Sequence, residues 1–434
     1  MPSSRSVVNT YYVLEGGTTL AASLIWGINT IFLLDAGLSN FEAFAANAFF
    51  TAGMVIFEVP TGVVADGWGR RLSFLLGTLT LSVTTGLYVL LWQVDAAFWA
   101  WAVVSTLLGL GFTFFSGAVE AWLVDALEAT GYEGTLEAVL GRGQVIGGVA
   151  MLIGSVGGGI LAQATSLGVP FVARAVVLVL VFVVALATMH DVGFTPDRSA
   201  GPLRAIRSIT ADSIEYGWRV PPVRFLMLAA PFTGGVGFYV FYALQPYLLE
   251  LYGNEAAYGI AGLTAAIVAG AQMLGGLLTA RIRGLFRLRT SALLVAEGVS
   301  VACIVLMGLI ASFWAVLALI VIWGLLFAAA MPIRQAYLNA LIPSKQRATI
   351  LSFDSLMSSS GGVVVQPGLG RAADVWGYPA SYLLAGAIGA IAIPFIARSR
   401  AEHAPADAAR GLTPAGPEPD HEPDSSTVES IERR

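Results

Sequence analysis

The chain has 434 residues, of which 56% are hydrophobic and only 12% are charged, and its formal net charge is −5. Soluble domains carry about 25% charged residues, and a soluble protein would have no interior large enough for so many wholly apolar helices. The composition therefore excludes a soluble protein and predicts one that crosses a lipid bilayer many times. It gives no indication of a nucleic-acid partner.

The rare residue types exclude several kinds of chemistry. Cys303 is the one cysteine, so disulfides and cysteine-based metal sites are excluded. An ATP-driven pump needs a phosphate loop that ends in Gly-Lys-Ser/Thr, whereas the single lysine, Lys345, lies in the stretch PSKQR. We therefore expect no ATP, metal or cofactor, and no convergent group of His, Asp and Glu predicts an enzyme.

Apolar stretches of roughly 20 residues, each long enough to cross about 30 Å of hydrocarbon, are separated by Gly, Pro and charged breaks. They predict an all-α membrane protein with twelve spans, numbered here in chain order. The predicted spans are 11–34, 41–63, 72–92, 97–125, 143–163, 170–189, 224–249, 257–280, 290–311, 313–340, 349–370 and 379–397. An even number of spans places both chain ends on the same face of the membrane.

The basic residues predict the orientation, because short cytoplasmic loops carry an excess of Lys and Arg. With the N-terminus in the cytoplasm, all but two of the 23 basic residues lie in cytoplasmic segments. The two exceptions are Arg174 and Arg371. We therefore expect a multi-pass protein of the plasma membrane with both termini in the cytoplasm.

A shift of 214 residues relates the two halves of the chain. It brings the start of span 1 next to the start of span 7, and it carries Gly62 onto Gly276 and Asp125 onto Asn339. We predict a six-helix half at 1–190, a cytoplasmic linker at 191–223, a second half at 224–398 and a disordered tail at 399–434. Two such halves form the layout of an alternating-access carrier, whose site lies between them.

The stretch FEVPTGVVADGWGRR, residues 57–71, ends span 2 and turns into span 3. Gly62 allows a neighbouring helix to approach closely, and Gly69 permits a tight turn. The Asp66 carboxylate is suited to the positive end of a helix, and the basic pair holds the loop at the anionic inner leaflet. The predicted gating motif comprises Gly62, Asp66, Gly69, Arg70 and Arg71.

This pattern, G-x-x-x-D-x-x-G-R-R, resembles the signature of the major facilitator superfamily at the same loop. The resemblance implies twelve helices in two pseudo-symmetric halves. It also implies that Asp66 contacts the start of span 11 in the other half and favours the cytoplasm-closed state. The alternative is that the loop only anchors the topology. In the second half Ala280 stands at the position of the Asp, so any such lock is asymmetric.

Two further stretches resemble bacterial drug/proton antiporter-like exporters of this superfamily. In span 5, Gly147, Gly154 and Gly158 follow the glycine spacing of a motif associated with export, although Gly159 stands where Pro is expected. Close helix packing by small residues explains this spacing equally well. The stretch RQAYLNALIPSKQRATILS, residues 334–352, resembles the connection between spans 10 and 11 of such exporters.

Proton coupling through the membrane would require carboxylates, because the three His lie at the end of span 6 and in the tail. Carboxylates inside a membrane are costly and mark functional sites. The family places spans 1 and 4 around the cavity, which favours Glu15 and Glu120; helix-end solvation is the alternative for Glu15. Glu297 lies on a span expected at the periphery, where a structural pair is the expected role.

Aromatic side chains with a few polar tips surround Pro246 in span 7. Such a wall suits an amphipathic organic molecule better than a heavily hydroxylated one, while packing against lipid or core is the alternative. The candidate cavity residues are Trp26, Asn29, Tyr239, Tyr242 and Gln245.

The shift of 214 residues also relates Glu120 to Arg334. We predict a salt bridge between them, an inter-half latch that forms when the cytoplasmic side closes; the alternative is that each meets other partners.

The sequence as a whole predicts a monomeric secondary transporter that exports hydrophobic or amphipathic small molecules in exchange for protons. A nutrient importer or facilitator is the alternative within the same fold, and a scramblase or receptor is a more distant one.

Overall fold

A computed structural model describes residues 2–115, 117–196, 217–342 and 347–408, and the regular elements in these ranges are helices. The twelve spans are confirmed. The first half contains Ser4–Ser23 with Asn29–Asp35, Asn40–Trp68, Arg70–Gln93, Phe98–Thr113 with Ala118–Ala129, Leu136–Ala164 and Gly168–Thr188. The second half contains Pro221–Tyr252, Tyr258–Gly284, Arg289–Leu309 and Phe313–Leu341. Span 11 is the part of Arg347–Ala390 that precedes the kink at Gly377, and span 12 comprises the rest of that helix together with Ala392–Ala401.

Ten helices in the described ranges are long and apolar enough to cross a membrane. The difference from twelve arises at spans 1, 11 and 12. Span 1 is broken into two pieces, and spans 11 and 12 follow each other through a sharp kink at Gly377, whose φ of +80° suits glycine.

Spans 1 and 4, which the sequence predicts as continuous, are both interrupted. Span 4 breaks before Gly117, a residue with φ of +69°. Span 1 breaks around Gly27, where a Cβ atom would lie 2.9 Å from the backbone oxygen of Ala261 in span 8. The break in span 1 therefore lies at a point where backbones of the two halves meet.

The two ends of the helix bundle are called the terminal face and the opposite face. The terminal face holds the start of span 1, where the Ser4 hydroxyl donates to the Thr130 carbonyl at 3.0 Å. It also holds the start of span 9 and the short helix Pro405–Ala408. The opposite face holds the turn between spans 1 and 2 and the kink at Gly377.

The domain boundaries differ from the prediction in two places. Span 7 begins at Pro221, inside the predicted linker. The expected disorder is wrong for residues 399–408, because the helix runs on to Ala401 and Asp407 accepts hydrogen bonds from the backbone N–H and hydroxyl of Thr290, at 2.8 and 2.5 Å. Residues 197–216 of the predicted linker and 409–434 of the predicted tail lie outside the described residues.

The halves meet most extensively through two pairs of spans, 2 with 11 and 5 with 8, and span 7 also contacts the second piece of span 1. Glycines allow the second pair to approach at the backbone. A Cβ on Gly262 would lie 2.5 Å from the Ser155 carbonyl, and one on Gly159 would lie 2.6 Å from the Tyr258 carbonyl. Small residues permit this close approach of the two helices, which larger side chains would prevent.

The glycines of the span 5 motif have a different partner, span 1. Gly154 and Gly158 face Ser23 and the Leu24 carbonyl too closely for any side chain, and Gly147 faces the Glu15 carboxyl group. Close helix packing, one of the two interpretations of this motif, therefore accounts for the spacing.

Candidate functional site

A cavity of about 570 Å³ lies between the two halves. Ligand sites in proteins have volumes of about 300–1,000 Å³ and are mostly apolar. Aromatic rings form much of this wall, and they come from both halves. These rings are Trp26, Phe50, Tyr88, Phe112, Phe171, Phe238, Phe241, Tyr242, Trp323 and Phe327.

Three of the five predicted cavity residues line this cavity: Trp26, Asn29 and Tyr242. Trp26 packs edge-on against Phe241, with ring centroids 5.2 Å apart, so spans 1 and 7 contact each other across the halves. The Asn29 amide donates to the Asn47 side-chain oxygen at 3.0 Å. The wall therefore combines aromatic surface with a few amide groups.

Tyr239 does not line the cavity. Its ring is fully buried, and its hydroxyl group is hydrogen-bonded to that of Ser381 in span 12. Successive helical residues are about 100° apart, so Tyr239 points about 200° away from Gly237 and Phe241, which do face the cavity. The prediction for Tyr239 is wrong because the aromatic run covers both sides of span 7.

Gln245 does not line the cavity either, but it holds the break in span 1. Its side-chain oxygen accepts from the Thr30 backbone N–H at 2.8 Å, and its amide nitrogen donates to the Trp26 carbonyl at 2.8 Å. In a continuous helix, Thr30 N–H would bond directly to Trp26 O. The Gln245 amide therefore takes the place of one missing helical hydrogen bond, from the other half of the molecule.

Further contacts close the opposite face. The Asp374 carboxylate accepts from the backbone N–H groups of Asn40 and Phe41, both at 2.9 Å, at the N-terminus of span 2. The Tyr378 hydroxyl donates to the Asn40 side chain. A carboxylate at the positive end of a helix is favourable. The opposite-face end of span 2 is thus capped by the turn between spans 11 and 12.

The predicted gating motif lies at the terminal face. Gly69 has φ of +116°, and a Cβ there would collide with the Asp191 carboxylate. Asp191 accepts from the Arg71 backbone N–H at 2.9 Å, and burial raises the pKa of this carboxyl group. The residue that caps span 3 is therefore Asp191, whereas Asp66 pairs with Arg70 in its own loop.

The close helix approach expected at Gly62 is absent in this structure, because no atom of the described residues lies within 4 Å of its Cβ position. The cavity also extends toward the terminal face, where Arg334, Leu351 and Asp354, near the ends of spans 10 and 11, line it. The molecule is therefore closed at the opposite face, with its cavity directed to the terminal face. A contact of Asp66 with span 11 belongs to the other state and stays a prediction.

We expect Asp66→Asn to lower transport severalfold while membrane insertion stays normal. The change keeps the size of the side chain but removes the charge that a helix N-terminus would bind. Initial flux per inserted protein measures the effect, and Asp95→Asn, in an exposed loop of the opposite face, is the control. Full flux in Asp66→Asn would leave the loop only an anchoring role.

The carboxylates predicted for proton coupling lie in the first half, outside the cavity lining. Glu15 packs beside Gly147, and it lies close enough to Glu120 for electrostatic repulsion. Glu120 is exposed in the first turn of the second piece of span 4. Glu297, expected to have a structural partner, forms no hydrogen bond or ion pair within the described ranges and lines a smaller cavity of about 80 Å³.

Arg334 has a partner that the sequence analysis did not assign to it. Its guanidinium forms two hydrogen bonds to the Asp354 carboxylate, one of them 2.6 Å long, and a third to the Leu226 carbonyl at 3.1 Å. The predicted latch between Glu120 and Arg334 is not formed in this terminal-open arrangement. It stays a prediction for the other state.

Sequence reasoning also missed Arg174, which lines the cavity although the residue is only 6% exposed. The phenols of Tyr88 and Tyr242 lie near its guanidinium group. One signal could have identified it: Arg174 is the only charged residue in span 6, Gly168–Thr188.

Solved structures of transporters share this fold. A mutant of the nucleoside transporter NupG aligns with a TM-score of 0.74 and 10% identity, covering 90% of this chain and 99% of its own. A bacterial homologue of the human lysosomal transporter Spinster aligns at 0.69 and 16%, covering 92% and 98%. A POT family transporter in complex with 5-aminolevulinic acid aligns at 0.66 and 12%, covering 90% and 94%.

At these identities the structural matches show the fold alone, and no curated protein sequence matches this chain significantly. The sequence profile of the Major Facilitator Superfamily, however, matches residues 13–300 and 289–425. These two matches extend over nearly the whole chain. The protein therefore belongs to the Major Facilitator Superfamily and is a multi-pass membrane transporter of small molecules rather than an enzyme.

Proposed function

We propose that this transporter works by alternating access and exports amphipathic small molecules from the cytoplasm in exchange for protons. One observation carries the proposal: an aromatic cavity lies between the two halves and is closed at one face by hydrogen bonds between them. A carrier of this design exposes a midplane site to one face at a time as its halves rock.

The chemistry of the wall supports an amphipathic substrate. Rings from spans 1, 7 and 10 provide apolar surface, and Asn29, Asn47 and Gln272 provide hydrogen-bonding groups. A sugar or nucleoside would require a denser set of polar partners, because each buried hydroxyl group left without a hydrogen bond costs free energy. A nutrient importer or facilitator remains the alternative within this fold.

The basic loops support the direction and location that we propose. They lie at the terminal face, and an excess of basic residues is typical of cytoplasmic loops, so we propose that this face meets the cytoplasm and that the membrane is the plasma membrane. The cavity is directed to that face, so a cytoplasmic substrate can enter it in this state. We propose that one chain acts alone, since the cavity is built from its own two halves.

Three carboxylates support proton exchange: Glu15, Glu120 and Glu297. Glu15 packs on span 5 within electrostatic reach of Glu120, so a proton on Glu15 lowers the negative charge at this contact between helices. Glu297 lies in a small cavity that shares Thr233, Phe327 and Arg334 with the main one. Of these three carboxylates, we propose Glu15 as the one that binds the exchanged proton, because its packing on span 5 links its protonation to contacts between helices.

We expect Glu15→Gln to abolish the acceleration of export by a proton gradient while substrate binding persists. The amide cannot titrate, so the cycle loses its proton-dependent step. Flux measured across a pH series tests this, with Glu137→Gln, at an exposed position of span 5, as the control. A variant with the pH dependence of the wild type would exclude Glu15 and leave Glu120 and Glu297.

Flux in proteoliposomes tests the function as a whole. Two permanently charged bicyclic probes, naphthalenesulfonate and N-methylquinolinium, cross lipid slowly by themselves and differ in the sign of their charge. We expect the protein to accelerate the movement of at least one of them, and a pH gradient to increase that flux further. Acceleration without any effect of the gradient would indicate a facilitator. No protein-dependent movement of either probe would contradict amphipathic transport.

A further inference from the structure

The charges that line the central cavity do not balance. In the described part of the chain, three charged residues line it: Arg174, Arg334 and Asp354. The Asp354 carboxylate accepts two hydrogen bonds from Arg334, so these two charges neutralise each other. Arg174 is therefore left with an uncompensated positive charge in the middle of an apolar wall.

Arg174 has no carboxylate partner among the described residues. The two phenols near it come from different halves, Tyr88 in span 3 and Tyr242 in span 7. The Tyr88 hydroxyl is already hydrogen-bonded to Ser105 at 2.6 Å, and the Arg174 Nε atom is buried without a hydrogen-bond partner. Burying an unpaired guanidinium is costly, so an arginine held in this way is a candidate for a ligand contact.

A second polar group in the cavity wall also lacks a hydrogen-bond partner. Asn47, 3% exposed, accepts from Asn29 through its oxygen, but its Nδ2 group has no acceptor. Both unsatisfied groups are hydrogen-bond donors. The cavity thus presents a positive charge and a free donor, and it lacks a free carboxylate in the described part of its wall.

From this geometry we infer that the substrates bound by the transporter are organic anions, molecules in which a carboxylate or sulfonate is attached to an aromatic or aliphatic body. The anionic group binds Arg174, since guanidinium groups recognise such oxyanions through charged hydrogen bonds. The body lies against the rings of Trp26, Phe241 and Tyr242. This inference rests on the proposed transport of amphipathic molecules and specifies their charge.

The position of Arg174 also relates the anion to the transport cycle. Arg174 belongs to the first half and the Tyr242 phenol beside it belongs to the second. An anion on Arg174 therefore lies where the halves meet, and it neutralises a charge that would otherwise stay buried when the site closes. A neutral molecule of the same shape lacks this effect, so the site discriminates by charge as well as by shape.

Equilibrium binding to the purified protein tests the inference separately from transport. The probes are naphthalenesulfonate, its neutral analogue naphthalenesulfonamide, and N-methylquinolinium. We expect the wild type to bind the sulfonate at least tenfold more tightly than the other two. Equal binding of the three probes, or tighter binding of the cation, would overturn the inference even if no variant could be purified.

Variants locate the charge that is responsible. Arg174→Gln should weaken sulfonate binding about tenfold or more and change sulfonamide binding little, whereas Arg174→Lys should retain part of the preference. Arg371→Gln, which removes an exposed arginine in span 11, should bind all three probes like the wild type. A preference for the sulfonate that survives in Arg174→Gln would overturn the assignment. Failure of the flux assay with this preference intact would contradict only the transport proposal.

Discussion

Gln245→Met is expected to open the opposite face and to reduce transport strongly. Methionine has a similar length but no amide, so the Thr30 N–H and the Trp26 carbonyl lose their partner in the closed state. Each buried backbone group left unsatisfied costs about 1–3 kcal/mol. When the face opens, water can reach both groups, so the penalty falls mainly on the closed state.

A penalty of about 2 kcal/mol shifts the ratio of the two states roughly thirtyfold. Spin labels at two exposed positions of the opposite face, Gln93 in the first half and Glu255 in the second, report the change. We expect the distance between the labels to increase in Gln245→Met. Gln272→Met, which removes an amide from the cavity wall without altering the break in span 1, should leave the distance unchanged. An unchanged distance in Gln245→Met would show that the amide does not hold the face closed.

The spans could be predicted because each depends on local composition. A run of about 20 apolar residues has to form a helix in lipid, where every backbone polar group needs a partner within the segment. The break in span 1 could not be predicted in this way, because its partner Gln245 lies 215 residues from Thr30 in the chain. The pattern around Trp26 is apolar on both sides of the break, and local hydropathy continues through it.

The cavity could be predicted in part for a related reason. The sequence shows that one segment of span 7 is rich in aromatic residues, but it does not show on which side of the helix each ring lies. Tyr242 faces the cavity, whereas Tyr239, three residues earlier, bonds to span 12. Arg174 was counted in the sequence only as one of two basic residues outside the cytoplasmic segments, although it is buried and lines the cavity. Side-chain direction depends on helix rotation, which a single sequence determines poorly.

The partner of Arg334 shows the limit of reasoning from the repeat. A shift of 214 residues identifies positions that are related by pseudo-symmetry, and it pairs Glu120 with Arg334. It does not show which carboxylate lies within reach in a given state. Asp354 occupies both sides of the guanidinium fork here. Any latch through Glu120 must therefore compete with a partner that is already in place.

Asp354→Asn is expected to lower the free energy of unfolding by about 3–5 kcal/mol, the usual cost of removing one member of a buried ion pair. The pair is well shielded, with side-chain exposures of 19% for Arg334 and 9% for Asp354. An asparagine leaves the guanidinium charged and only partly hydrogen-bonded. Denaturation of the purified protein in detergent measures the loss.

Two further variants separate this pair from the latch. Glu120→Gln makes the same chemical change at an exposed carboxylate, and it should leave stability close to that of the wild type. Adding Arg334→Met to Asp354→Asn should restore part of the loss, because the orphaned charge is then removed as well. If Glu120→Gln proved as destabilising as Asp354→Asn, Glu120 would be a resident partner of Arg334. If Asp354→Asn proved neutral, the buried pair would not stabilise the second half, and Arg334 would be free to exchange its partner for Glu120 during the cycle.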